Sequence, residues 1–193
     1  MLKILKYFYW AMLDKGGRYE LLQALVKDIP GMYGREIRAK FYRKHFASAG
    51  EGYVIHLDAR IRNIHRLQLH DRARIGESVM IQAAGEVEIG RDVLLGPGVK
   101  IWSANHKFDD PTTPIQDQGY EHKKVVIGDG CWIGTNAFIM PGVNLGEGCI
   151  VSAGAIVSAK KYPPYKVISG NPARVIGSRS MPEEESKEDA VAV

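Results

Sequence analysis

Between positions 127 and 157 an aliphatic side chain recurs at every sixth residue: Ile127, Ile133, Ile139, Leu145, Val151 and Val157. Four positions after the first five stand Cys131, Ala137, Val143, Cys149 and Ala155, all small or medium apolar. Gly128, Gly134 and Gly146 each follow an aliphatic member directly. The lattice extends upstream through Ile89-Gly90, Leu95-Gly96 and Ile101 with Val93 and Val99, then Ile75-Gly76 and Ile81 with Val79. More loosely it takes in Ile55, Ile61 and Leu67 with Ala59, and it slips by two between Leu67 and Ile75 and between Ile81 and Ile89, as small corner bulges would make it do. Six residues of α-helix advance about 600°, about 240° beyond a whole turn, so no helix puts this pattern on one face. Short strands joined by tight corners do. Each six-residue unit forms one flat side, three sides close a triangular coil, and coils stack at about 4.8 Å. The aliphatic residue points into the prism, the small one fills the same core, and Gly relieves the corner backbone. Cys131 and Cys149, 18 positions apart, are expected in adjacent coils as core residues.

The flanks read differently. Residues 1–50 form a helical region: Leu2, Leu5, Tyr9 and Met12 follow helical spacing, with Ile4 and Phe8 widening the stripe. A second helix over Tyr19–Ile29 stops at Pro30-Gly31, and a third runs from Arg35 to about Phe46. In the third, Ile37, Phe41 and Tyr42 are apolar and Arg35, Arg38, Lys40, Arg43 and Lys44 surround them. Residues 178–193 hold Pro182 followed by three glutamates and no apolar period, the mark of a flexible acidic tail. The β-helix takes residues 51–177. Residues 1–50 carry ten Lys/Arg against four Asp/Glu, and the basic stripe can serve an anionic membrane surface or simply solvate a helix. Capping of the open first coil is the preferred role, because Leu21, Leu22, Leu25, Val26 and Ile29 need apolar cover. The apolar run Tyr7–Leu13 is far short of the roughly 20 residues that span a bilayer, and no small-residue cleavage site follows it. With two cysteines and no disulfide framework, a cytoplasmic setting is expected.

The lattice breaks once, between Ile101 and Ile127, making an excursion loop over 102–126. Long loops thrown from a regular scaffold often carry function. This one opens with Trp102, Asn105, His106, Phe108, Asp109, Asp110 and Pro111. An imidazole, titrating near pH 6.5 in the free residue, can take a proton from a hydroxyl and return it to a leaving group.

The repeat resembles that of the hexapeptide-repeat transferases, and the excursion resembles the active-site loop of their maltose and galactoside O-acetyltransferase branch. The resemblance implies an all-β, left-handed parallel β-helix, an exception to the right-handed crossover rule. It also implies a homotrimer, acetyl-CoA as acyl donor, and His106 as general base. Asn105 and Asp109 would orient the imidazole or bind the acceptor, and Trp102 would line the pocket. Trp132, in the Gly128–Gly134 segment after the loop, either packs over the loop and the cofactor arm or is purely structural. Val157 to Pro164 and Gly170 to Arg174 are similar to the closing segment of acetyl-CoA-binding members. That likeness places Thr135, Ala153 and Ser158 along the pantetheine groove. It sets Lys160 or Lys161, with Arg174, on the nucleotide phosphates. The segment is one residue longer before Pro163 than the usual Thr-Lys-Asp pattern and lacks its Asp, so both lysines stay in play. Pro30-Gly31, Gly34-Arg35 and the basic helix after them resemble the serotype and exopolysaccharide acetyltransferases. The activity so implied is O-acetylation of a hydroxyl on a small-molecule or lipid-linked sugar in surface polysaccharide or lipopolysaccharide assembly. N-acetylation of a nucleotide-linked amino sugar and a non-catalytic β-helix scaffold are the alternatives. His65 and His70 do not reproduce the three-histidine set of the zinc-dependent carbonic anhydrases that share this prism, so no metal is expected. No nucleic-acid partner is expected either.

Overall fold

The computed structural model describes residues 2–179. Three parallel sheets run side by side along a prism. The first face stacks Ser48–Ala49, Leu67–Leu69, Val87–Ile89, Val125–Ile127, Asn144–Leu145 and Lys161–Tyr162. The second stacks Val54–Ile55, Arg74–Ile75, Leu94–Leu95, Trp132–Ile133, Ile150–Val151 and Lys166–Gly170, closed by an antiparallel return strand Ala173–Ser178. The third stacks Arg60–Arg62, Met80–Gln82, Lys100–Trp102, Phe138–Ile139 and Ile156–Val157. The chain visits the faces in that order, coil after coil, which is a parallel β-helix. The acidic-tail expectation falls mostly on residues 180–193, outside the described residues.

Identical positions lie directly above one another. Ile55, Ile75, Leu95, Ile133, Val151 and Ile168 form one inward column, and Ile61, Ile81, Ile101, Ile139 and Val157 another. Each is at most 1% exposed, so each contributes about 1.5–3 kcal/mol of apolar burial. Cys131 and Cys149 are buried in adjacent coils, with their thiols donating to the carbonyls of Gly146 and Pro163.

The two-residue slips are insertions at one corner, between the third and first faces, and the first of them falls between Ile61 and Leu67 rather than between Leu67 and Ile75. On the first face the strands of the second to fourth coils are three residues long and bury two side chains: Leu67 with Leu69, Val87 with Ile89, Val125 with Ile127. The fifth coil buries the same pair there, Val143 and Leu145, so the two extra residues lie in the turn before the strand: Ile81 and Val87 are six positions apart, Ile139 and Val143 four. The early coils therefore repeat every 20 residues, as Ile55, Ile75 and Leu95 do, and the column runs through Leu69 rather than Leu67.

The helices are α1 (Leu2–Leu13), α2 (Lys15–Val26) and α3 (Gly31–Arg43). Helices α2 and α3 cap the first coil with aromatic rings, Tyr19 and Tyr42 packed with Phe41, and with their polar groups, rather than with the leucines expected. A terminal coil leaves backbone groups without a next strand to pair with. The Tyr19 and Tyr42 hydroxyls donate to the carbonyls of Ile61 (2.9 Å) and Ala59 (3.0 Å), and Gln23 Oε1 accepts from the Ile61 N–H (2.8 Å). Arg38, 2% exposed, donates from Nε to the Ile55 carbonyl and from Nη1 to that of Ile29. Two sequence expectations are thereby corrected: Arg38 belongs to the buried face, and Leu22 and Leu25 remain exposed because Tyr19 and Gln23 face the coil instead.

Candidate active site

Trp102 ends a third-face strand with its side chain outward, half-buried and edge-on to Phe138 (ring centroids 5.4 Å apart). The excursion begins one residue later than its sequence bound, at Ser103, and the chain rejoins the first face at Val125. Ser103 anchors its root: fully buried, it donates from Oγ to the Gln82 carbonyl and accepts from the Gly85 N–H, each at 2.9 Å. Gly85 makes that close approach possible, since a Cβ there would lie 2.0 Å from the Ser103 carbonyl oxygen.

The excursion is ordered. Ala104–His106 pairs antiparallel with Tyr120–His122, His106 opposite Tyr120. The ring of His106 lies against that of Tyr120, centroids 4.3 Å apart and planes tilted by 39°. At the tip, Asp110 accepts from the Thr112 N–H and from the hydroxyls of Thr112 and Thr113, which hold its carboxyl down at about 2. Gln118 Nε2 closes the turn onto the carbonyls of Asp110 and Thr113. His106 is thus an exposed imidazole on a two-stranded ribbon fixed at both ends.

The other expected residues divide. Asn105 sits beside His106, but its Oδ1 accepts His106's own backbone N–H at 3.1 Å, so its side-chain oxygen does not orient the ring. Asp109 is exposed and takes part in none of the hydrogen bonds among the described residues. Thr135 and Ala153 stack at the corner between the second and third faces, where the Gly154 N–H donates to the Thr135 carbonyl. Ser158 lies past the other edge of the third face, its carbonyl accepting from the Tyr162 hydroxyl. Lys160 Nζ hangs 4.7 Å from the Tyr162 ring centroid, Lys161 lies on the first face, and Arg174 lies on the closing strand. Trp132 is 51% exposed on the second face, between Leu94 and Ile150. The ribbon springs from the edge between the third and first faces, opposite the second. Among the described residues no ring contact joins Trp132 to His106, whose ring partner is Tyr120.

Tyr120 and Ser103, which hold the ring and the root of the candidate ribbon, are the residues that sequence reasoning missed. An antiparallel ladder closed across a 13-residue gap has no period to betray it. Among the described residues no group of three or more His, Cys, Asp or Glu is placed to hold a metal, and no helix is long and apolar enough to cross a membrane.

Three-sided coils of six-residue units, with a histidine-bearing ribbon at one edge, define a hexapeptide-repeat β-helix protein. Residues 124–159 match the family described as the hexapeptide repeat of succinyl-transferase. Over 147 residues the chain is 33% identical to WcaF of Escherichia coli K12, an acetyltransferase provisionally assigned to colanic acid biosynthesis, covering 74% of this chain and 75% of that one. Among solved structures it superposes on a maltose O-acetyltransferase from Clostridium difficile with a TM-score of 0.77 at 26% identity, over 88% and 91% of the two chains. A galactoside acetyltransferase in complex with coenzyme A matches with a TM-score of 0.70 at 25% identity, over 89% and 82%. Coverage of curated relatives varies: the chain spans only 38% of the length of an acetyltransferase of Mycobacterium tuberculosis to which it is 33% identical over 115 residues. The chain belongs to the hexapeptide-repeat acetyltransferase family.

Proposed function

We propose that the protein transfers an acetyl group from acetyl-CoA to a sugar hydroxyl, with His106 as general base, in the assembly of a surface polysaccharide or lipopolysaccharide. The observation that carries this reading is the hydrogen-bonded ribbon that presents the His106 imidazole outward beside Tyr120. The acceptor oxygen attacks the thioester carbonyl carbon as the imidazole takes its proton. The C–S bond then breaks and the proton passes to the departing thiolate, giving an acetyl ester and CoA. The maltose, galactoside and colanic acid relatives support a carbohydrate acceptor. Donor binding fits Thr135 and Ala153 along one edge of the third face. Lys160, Lys161 and Arg174 at the closing end are exposed cations that enter no ion pair among the described residues, suited to nucleotide phosphates. Because the ribbon bearing His106 is rooted on the side of the prism opposite Trp132, a site using both draws on a neighbouring chain, and a cyclic trimer supplies three such sites.

The test is thiol release from acetyl-CoA across a panel of sugar acceptors, with the product treated with mild alkali. An alkali-labile ester is expected. An alkali-stable amide, or no acetyl transfer to any hydroxyl, contradicts the assignment.

A further inference from the structure

At the capped end of the prism lies a cleft of about 670 Å³, bounded by the start of α2, the residues just after α3 and the third-face edge of the first two coils. Lys15, Lys44, Arg62 and His65 line it, and Glu20 is its one carboxylate. Among the described residues Lys15, Lys44 and Arg62 enter no ion pair, whereas Lys27, Arg43 and Arg60, on or next to the same helices and strand, all do. Three unpaired cations around one concavity leave positive charge to be balanced by a ligand. The cleft is also in line with the candidate active site. Arg62 stands in register with Gln82, and Gln82 with Trp102, which places Trp102 two coils along the same column. Two coils span roughly 10 Å. An anion held at Arg62 would therefore set a group attached to it near Trp102 and the base of the His106 ribbon.

We propose that this cleft binds the phosphate or diphosphate ester of the acceptor, so that the acceptor is a phosphate-linked sugar rather than a neutral glycan. Three cations exceed the charge of one carboxylate. A guanidinium fork with two ammonium groups suits the several oxygens of a phosphate ester. A nucleoside diphosphate sugar and a lipid diphosphate sugar share this chemistry. The role of the cleft rests on the acetyltransferase reading above; its affinity for phosphate does not.

The experiment titrates pyrophosphate into the full-length protein saturated with CoA, by calorimetry at low salt, so that a donor site cannot supply the signal. Binding is expected to persist with CoA present. It should weaken at least tenfold in Arg62→Gln and in Lys15→Gln, hold better in Arg62→Lys, and be unchanged in His106→Ala. No binding to the CoA-saturated protein overturns the proposal, as does wild-type affinity in both glutamine variants. In a second arm, acetyl transfer is compared for a nucleoside diphosphate sugar, a polyprenyl diphosphate sugar and the free sugar. One phosphorylated acceptor is expected to show at least tenfold higher kcat/KM, and which one identifies the source; equal values for all three overturn the proposal. Pyrophosphate binding without transfer to any acceptor sinks the acetyltransferase reading and leaves the phosphate site standing.

Discussion

A single Cβ decides whether successive corners can stack. The glycines that follow the aliphatic residues were conspicuous in the sequence, and their expected use was backbone freedom. The structure gives them another. Gly134 has no positive φ, yet a Cβ there would lie 2.5 Å from the Ala153 amide nitrogen of the next coil. Gly130, which does adopt φ +64°, has nothing within 4 Å of a Cβ. Gly134→Ala therefore forces backbone apart and should cost about 3 kcal/mol, the upper range for overpacking. Gly130→Ala carries the left-handed penalty alone, about 1–2 kcal/mol. Thermal melts at one protein concentration should rank Gly134→Ala clearly below Gly130→Ala, and equal melting temperatures would remove the stacking argument. The positions of these glycines were legible because they repeat. Their reason was not, since the clash lies between coils 18 to 20 residues apart.

At the scale of elements, the coils were legible and the cap was not. Period six names inward columns whatever the neighbouring residues are, but a helix meeting the end of a β-helix meets carbonyls and amides. Hydrophobic spacing thus pointed to Leu22 and Leu25, whereas Tyr19, Gln23, Arg38 and Tyr42 make the contact. The junction has an acid-sensitive member. Lys27 donates to Asp58 at 2.8 Å, and this bond, with further ones from Arg60 and Ser78, depresses the Asp58 pKa. A depressed folded-state pKa gives stability that is present above the unfolded value of about 3.9 and fades as pH falls through the folded one. Asp58→Asn, at a φ of 53° that asparagine tolerates, should flatten the fall in melting temperature below about pH 4. An acid limb as steep as wild type would contradict this. Helix α1 lies outside the cap: Ile4, Leu5, Tyr7, Phe8, Tyr9, Trp10 and Leu13 are all more than half exposed beside Lys3 and Lys6. Such a helix suits an anionic lipid surface. Flotation with anionic vesicles should show binding that falls with salt and disappears on deleting residues 1–13. No binding at low salt would exclude a membrane role.

The whole molecule raises the question of completeness. The ribbon is rooted at the edge opposite the face that carries Trp132, an arrangement implicit in the six-residue period because Ile127 and Ile133 belong to successive sides. Sedimentation of the purified protein should give a trimer, and an active monomer would contradict a site shared between chains. The central claim, that the ribbon exists to present His106 to an acceptor hydroxyl, is tested most directly by one rate. CoA thiol release during acetyl transfer to the best acceptor should be measured for wild type and His106→Ala, with sedimentation confirming the same assembly for both. Losing a general base lowers turnover by about 10²-fold or more, and that loss is the expected result. A His106→Ala protein that keeps near-normal turnover in the same assembly would contradict the account.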